Sequence, residues 1–286
     1  MANETMRANW TEGAAGWVAN EAVYDAVFGP VTRAILDAAA PAPGLRVLDV
    51  GCGTGTLLAA TDAAGAAAVG VDISATMAEA ASRRVPGATV IVEDAQTADL
   101  LAAAPGTPFD RVVSRFGVMF FDDPVAAFAN LRAACAPGAR LVFACWRGEA
   151  ENPVFTAGTR VLAARLDPPP APEAPGEPGP MAFAESDRTA AILKAAGWDG
   201  IAVDAFDFLL DYGFDGGDGV EQRIAGVLAG RTGRLAQEQL RPALGDDAWE
   251  SLVDEVRADL DAFVIDGAVR FPGAVWLVSA TNPGPA

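Results

Sequence analysis

Histidine is absent from this chain of 286 residues, and cysteine occurs three times, at the widely separated positions Cys52, Cys135 and Cys145. A zinc site or a disulfide framework needs those side chains in clusters, so no metal is expected and no disulfide scaffold. Cations are scarce as well: 20 Lys and Arg face 38 Asp and Glu, a net charge of −18. Affinity for nucleic acid comes from cations that neutralise phosphates, which argues against DNA or RNA as a partner. No run approaches the roughly 18 uninterrupted apolar residues of a membrane span. The start Met1-Ala2-Asn3-Glu4 lacks the basic character of a signal peptide. A soluble, cytoplasmic protein is the expectation, monomer or homodimer. Tyrosine occurs only twice, at Tyr24 and Tyr212, so few side chains are available for proton transfer near neutrality.

What the chain has instead is apolar substance, 51% of its residues, enough for a large core. The stretch Val47-Leu48-Asp49-Val50-Gly51-Cys52-Gly53-Thr54-Gly55-Thr56 organises the rest. Residues 45–50 are a short apolar run followed by Ala-rich sequence, which reads as a buried parallel strand feeding a helix over 57–64. Glycine at that joint permits positive φ and lets a ligand approach without meeting a Cβ. The following helix offers free N–H groups and its positive dipole end, suited to a carboxylate or phosphate. A dinucleotide fingerprint wants Gly-x-Gly-x-x-Gly, and the spacing 51, 53, 55 does not match it.

Further strands are predicted over 66–71, 88–92, 109–114 and 139–146, with a helix over 125–135 whose start carries Asp122-Asp123-Pro124. The first crossover is a right-handed βαβ unit. Asp72 ends the second strand some 20 residues past the glycines, where a carboxylate accepts from ribose hydroxyls. Asp72 as a helix cap is the alternative, although Ser74 fills that role. The tip of the fourth strand, from Ser114 through Arg115 and Phe116 to Phe121, is unusually apolar. Ligands in open α/β sheets bind beyond the carboxyl ends of strands where the order reverses, here between the first and fourth, beside Ser114, Arg115 and Phe116.

The bend Val-Leu-Asp-Val-Gly-Cys-Gly-Thr-Gly resembles motif I of the class I S-adenosylmethionine-dependent methyltransferases, in their small-molecule, UbiE-like branch. The resemblance runs without a gap over about 45–147, through Asn130-Leu131-Arg132 and the turn Pro137-Gly138. It implies a doubly wound, mostly parallel seven-stranded α/β sheet with an antiparallel last strand, S-adenosylmethionine as cofactor and S-adenosylhomocysteine as product. It further implies Asp49 near the methionine amino group, the Gly51 and Gly53 backbone against the amino-acid portion, and Cys52 and Gly55 among the cofactor-binding residues. Ile73 and Met77 would sandwich the adenine, Asp94 and the Ala95 amide would meet its edge, and Ser114 and Phe116 would line the cofactor. Trp10 and Tyr24 are candidates for an N-terminal cover, with ordinary core packing as the alternative. Tyr24, Arg115 and Phe116 are the catalytic candidates.

Four parts are expected: a helical cover over 1–40 broken at Pro30, a cofactor-binding core over 41–150, a Pro-rich connector and lid helix over 151–185, and the rest of the core over 186–286. The lid helix is placed at 153–166 and the connector at 167–180. Another helix is expected over 186–197, strands over 201–210 and 274–280, these last two antiparallel, and a helical insertion over about 215–266 serving as a lid, a packing layer or a dimer surface. The expected function is methyl transfer to a small, hydrophobic or aromatic acceptor by in-line displacement, with no Asn/Asp-Pro-Pro-Tyr turn of amino-methylating enzymes at Ser114. A nicotinamide-dependent oxidoreductase and a non-catalytic S-adenosylmethionine-binding protein remain as alternatives.

Overall fold

The computed structural model describes residues 3–170 and 176–284, so part of the proline-rich connector, 171–175, lies outside the described residues. Three helices precede the sheet: α1 (Glu4–Ala19), α2 (Glu21–Val27) and α3 (Gly29–Ala39). The expected break at Pro30 is corrected. The chain breaks at Asn20 and Phe28, and Pro30 sits in the first turn of α3, where its missing N–H leaves no helical bond unmade. Val31, Ile35 and Ala39 give α3 a buried stripe at helical spacing.

The core follows as β1 (Arg46–Val50), α4 (Thr56–Ala63), β2 (Ala67–Asp72), α5 (Ala75–Arg84), β3 (Thr89–Val92), α6 (Leu100–Ala103), β4 (Phe109–Arg115), α7 (Pro124–Ala133) and β5 (Cys135–Trp146). These five strands pair in parallel in the order β3-β2-β1-β4-β5. The middle strand β1 is buried at every residue, as a strand covered by helices on both faces must be. Phe109, Phe128, Phe143, Leu48, Leu131 and Leu141 are all but inaccessible to solvent; each contributes about 1.5–3 kcal/mol by leaving water. The helix expected to run to 135 stops at Ala133, and β5 starts at Cys135, taking in Pro137-Gly138.

The second half adds α8 (Thr159–Ala163), α9 (Ser186–Ala195), β6 (Asp199–Asp211), α10 (Val220–Ala229), α11 (Arg231–Leu244), α12 (Asp246–Leu260), β7 (Val264–Ile265) and β8 (Ala268–Thr281). The single helix expected over 153–166 is a 3-10 turn at Pro153–Phe155 and then α8. Gly158 divides them where the chain is pressed against Val227 and Val256, each 3.1 Å from where a Cβ would stand. The sheet order closes as β5-β8-β6, with β8 antiparallel to both neighbours. Only β8 therefore runs against the rest. β6 is parallel to β1–β5, so the antiparallel last strand expected of the sheet is β8, which is also antiparallel to β6. The two-residue β7 pairs with β8 as an eighth strand beyond the seven expected. Among the described residues no helix is long and apolar enough to cross a membrane.

Candidate functional site

At the end of β1 the chain turns through Gly51 (φ 65°) and Gly53 (φ 55°), both in the left-handed region that excludes most side chains. The N–H groups of Gly51 and Cys52 donate to Val71 O at 2.8 and 3.1 Å, so the bend is stitched to β2. A Cβ on Gly51 would lie 2.7 Å from Gly117 Cα, whereas a Cβ on Gly53 would meet nothing within 4 Å. One glycine is thus required by the protein's own packing and the other leaves open space. At the end of β2, Asp72 Oδ2 accepts from Gly53 N–H at 2.8 Å and Oδ1 accepts from Ser74 N–H at 2.9 Å. Ser74 caps α5, accepting from Met77 N–H.

The exit of β4 is clasped to the same bend. Ser114 Oγ donates to Val50 O at 2.7 Å and accepts from Gly117 N–H at 3.1 Å. Between them Phe116 takes φ 67°, uncommon for a bulky residue and costing about 1–3 kcal/mol. The strained backbone lays the Phe116 ring flat on Trp146, with centroids 4.5 Å apart and planes 3° from parallel. Phe28 meets both rings edge-on, and Phe155 meets Trp146 at 5.1 Å.

These pieces enclose a cavity of about 280 Å³, room for a ligand far larger than a water molecule. Its lining is in part polar, from Asp49, Gly51, Gly53, Asp72, Glu93 and Arg115, and in part aromatic, from Trp10, Trp17, Phe28, Phe116, Trp146 and Phe155. The N-terminal helices supply Trp10 and Trp17, and α1 is held down at its start. Asn3 Nδ2 donates to Asp94 Oδ1 at 3.1 Å, Asn3 N–H donates to Asp122, and Arg7 donates to Ile73 O. Trp10 then packs edge-on against Phe120 at 5.1 Å.

Of the residues singled out in the sequence, Asp49, Gly51, Cys52, Gly53, Asp72, Ile73, Met77 and Ala95 line this cavity, as do Trp10, Arg115 and Phe116. Four do not. Gly55 begins α4 and abuts Ala81. Ser114 spends its hydroxyl on the clasp described above. Asp94 sits behind the wall, holding Asn3 and Gln96 N–H, with Oδ2 buried and unpartnered. Tyr24 is one layer out, stacked on Trp17 at 4.1 Å. Burial pushes its phenol up to about 12, with the neighbouring Tyr212 adding to the rise. Of the insertion expected as a lid, a packing layer or a dimer surface, α10, α11 and α12 contribute no residue to the cavity. They brace α1, where Gly16 meets Ala229, and the α8 region, where Arg223 donates to Val154 O and Ala157 O.

Several cavity residues escaped the sequence reading. Trp17 is seven residues after Trp10, two turns along one helical face, a spacing that could have paired them. Trp146 ends the strand adjacent to β4, and Phe155 and Pro180 arrive from segments that only folding brings near.

The charges on the polar side are mismatched to their surroundings. Asp49 is buried, and its Oδ2 has no hydrogen-bond partner among the described residues. Burial raises its carboxyl to about 7, with the Asp72 charge adding to the rise and Arg115 opposing it. Burial also raises Asp72, held back by the N–H groups of Ser74 and Gly53. Burial lowers Arg115 to about 10, against the pull of Asp25 and Asp49. The Cys52 thiol is driven well up by burial and by both aspartates, which leaves it inert. A buried carboxylate that lines a cavity and lacks a full set of partners suits a cationic ligand, and an uncovered glycine bend suits a ligand pressed against main-chain amides. Among the described residues no cluster of His, Cys, Asp and Glu could hold a metal ion.

Residues 48–143 match the family described as a methyltransferase domain. Among similar curated proteins, an aklanonic acid methyltransferase of Streptomyces sp. (strain C5) is 34% identical over 46% of this chain and 59% of its own length. A demethylmenaquinone methyltransferase of Renibacterium salmoninarum is 34% identical over 47% of this chain and 55% of its own. The chain therefore spans little more than half the length of these relatives. Among solved structures, the YcgJ protein of Bacillus subtilis superposes over 89% of this chain and 98% of its own, with a TM-score of 0.55 at 16% identity, a likeness of fold.

Proposed function

We propose that this chain, whose residues 48–143 match a methyltransferase domain, transfers a methyl group from S-adenosylmethionine to a small, apolar, aromatic acceptor. The observation that carries the reading is that Asp49, one of whose buried oxygens has no partner among the described residues, lines the same cavity as the open Gly53 bend. Together they suit a ligand that brings an ammonium on one end of a nucleoside. When bound, S-adenosylmethionine supplies a methyl group already activated by a positive sulfur, so transfer is an in-line displacement that needs no covalent help from the protein.

The chain's own part is to bind, orient and exclude water. Asp49 receives the ammonium of the amino-acid tail. Asp72, its two oxygens already fixed by Gly53 and Ser74 N–H, keeps lone pairs for the ribose hydroxyls. Ile73 and Met77 flank the adenine, and the Ala95 amide meets its edge. The Phe116–Trp146 stack and the rings of Trp10, Trp17, Phe28 and Phe155 form a dry, flat-walled end that favours an aromatic acceptor and stabilises positive charge beside it. Holding acceptor and methyl donor in line lowers the barrier by several kcal/mol, with a limit of roughly 7–11. Among the described residues that line the cavity there is no His, Lys or Tyr, so a proton on the acceptor goes to a lining carboxylate, Asp49, Asp72 or Glu93, or leaves by the acceptor's own acidity.

The test is a pair of measurements on the full chain. S-adenosylmethionine should raise the melting temperature where NAD(H) does not, and label from its methyl group should pass to planar phenols or quinols in preference to hydrophilic amines. Stabilisation by NAD(H) alone would overturn the reading in favour of an oxidoreductase. Binding of S-adenosylmethionine with no transfer to any phenol, quinol or amine would favour a non-catalytic binding protein.

A further inference from the structure

Arg223 stands with Ile224 and Val227 on the buried face of α10 and is only 6% exposed. Among the described residues it makes no ion pair with a carboxylate, and its Nε has no hydrogen-bond partner. Its Nη2 donates instead to two main-chain oxygens, Val154 O at 2.5 Å and Ala157 O at 2.8 Å. The guanidinium lies 5.4 Å from the centre of the Phe271 ring and 5.8 Å from that of Tyr212. A buried cation without a counter-ion is costly, and an apolar side chain of that length would fill the space beside the two rings at less cost. What an apolar side chain could not do is hold the two carbonyls.

Between those carbonyls lie Phe155 and Thr156. The near end of the segment is pinned to β8, where Asn152 Oδ1 accepts from Ala274 N–H at 2.8 Å and Nδ2 donates to Ala274 O at 3.0 Å. The far end is pinned to α12, where Asp259 Oδ2 accepts from Gly158 N–H at 2.7 Å and Oδ1 pairs with Arg160 at 2.6 Å. Arg223 holds the middle. A three-residue 3-10 turn has few bonds of its own, so its shape depends on such outside grips. Phe155, inside that turn, lines the cavity and meets Trp146 edge-on, with centroids 5.1 Å apart and planes at 85°. We propose that Arg223 is a positioning residue for the acceptor: by gripping the turn it fixes the Phe155 ring against Trp146, so that a flat acceptor of two rings is held more tightly than one of a single ring. Arg223 does not itself line the cavity and acts through Phe155.

The inference rests on the acceptor reading above, and its test separates the two. Calorimetry on the full chain would measure S-adenosylhomocysteine and then, with that product bound, phenol and 2-naphthol as one-ring and two-ring probes. Wild type should prefer 2-naphthol by roughly 10-fold, from the added apolar area. Phe155→Ala should cut that preference to about 2-fold by removing the wall. Arg223→Met should cut it at least about 3-fold while S-adenosylhomocysteine binds within about 2-fold of wild type, which certifies the fold. In the Phe155→Ala background, Arg223→Met should add less than about 2-fold, the mark of two residues acting through one contact. Arg223→Lys, which keeps the charge without the planar fork, should recover part of the preference. Arg223→Gln takes the place of Arg223→Met should that variant not fold. A preference that survives loss of the guanidinium, or effects of the two substitutions that multiply, overturns the assignment while leaving the acceptor reading intact. A wild type that binds neither aromatic probe overturns both.

Discussion

The N–H of Gly53 donates to Asp72 Oδ2 across 2.8 Å, fastening the glycine bend after β1 to the end of β2. Residues 19 apart in sequence thereby form one rigid lip, and both open onto the cavity. The carboxylate both holds the bend and lines the cavity.

Replacement of that carboxylate is the most direct test of the lip. Asp72→Ala leaves the N–H groups of Gly53 and Ser74 without their acceptor and removes the proposed ribose ligand. Loss of hydrogen bonds to a charged group costs about 1.5–3 kcal/mol, so S-adenosylmethionine affinity should fall roughly 10- to 100-fold by calorimetry. A change under 2-fold would remove Asp72 from the site.

The two glycines should respond differently to alanine. Gly51→Ala drives a Cβ to 2.7 Å from Gly117 Cα, backbone against backbone, and should destabilise the fold itself. Gly53→Ala meets no protein atom within 4 Å, so only the cost of its left-handed backbone, about 1–2 kcal/mol, should appear in thermal or chemical unfolding. Its methyl group would occupy the cavity space where the cofactor is proposed to lie. Gly53→Ala should therefore fold and bind poorly, and a variant that binds S-adenosylmethionine normally would place the ligand elsewhere.

The raised carboxyl of Asp49 makes binding depend on pH. Its folded value of about 7 lies above the ordinary 3.8, so the native state holds the proton more tightly than the unfolded chain does. The empty protein therefore loses stability from this group as pH rises from about 4 to 7, and the cost is fully present above 7. A bound ammonium needs the ionised form and expels the proton. Affinity for S-adenosylmethionine should rise by up to about tenfold per pH unit from 5 toward 7 and level off above. Calorimetry near pH 6 in buffers of different ionisation enthalpy should register proton release, absent in Asp49→Asn. A flat profile would exclude Asp49 as the partner of the ammonium.

Tyr24 serves as a control on the catalytic candidates. Its ring backs Trp17 and does not line the cavity, and its phenol is raised to about 12, too basic to ionise near neutrality. Tyr24→Phe should leave S-adenosylmethionine affinity and any methyl transfer within 2-fold of wild type. A large loss of turnover with binding intact would reinstate it as a base.

Much of the polar half of the site was legible because it is local. Asp49, Gly51, Cys52 and Gly53 follow one another at a strand end, and Asp72 and Ile73 end the next strand, so predicting two strands and a bend puts them together. The same reading erred where a residue's role depends on its neighbours in space. Ser114 stands at the right strand end yet turns inward to Val50, and Gly55 has the right spacing yet supports α5. The helical periodicity of 220–260 revealed helices but not what they cover: α10–α12 brace the α1 and α8 regions and leave the cavity to other segments.

The sequence by itself determined the parallel core and the bend, because alternation of apolar runs with helix signals and glycine at a strand end are constraints satisfied within a few residues. Tertiary structure alone decided the aromatic half. Phe116 stood out at its strand tip, but Trp17, Phe28, Trp146 and Phe155 come from segments as much as 138 positions apart, and each of these rings would read as ordinary core in its own segment. What makes them a wall is the docking of α1 and α2 over the strand ends, a contact between distant segments that no local pattern encodes. The grip of Arg223 on the turn that carries Phe155 is likewise a property of the assembled fold and not of either residue's neighbours in the chain.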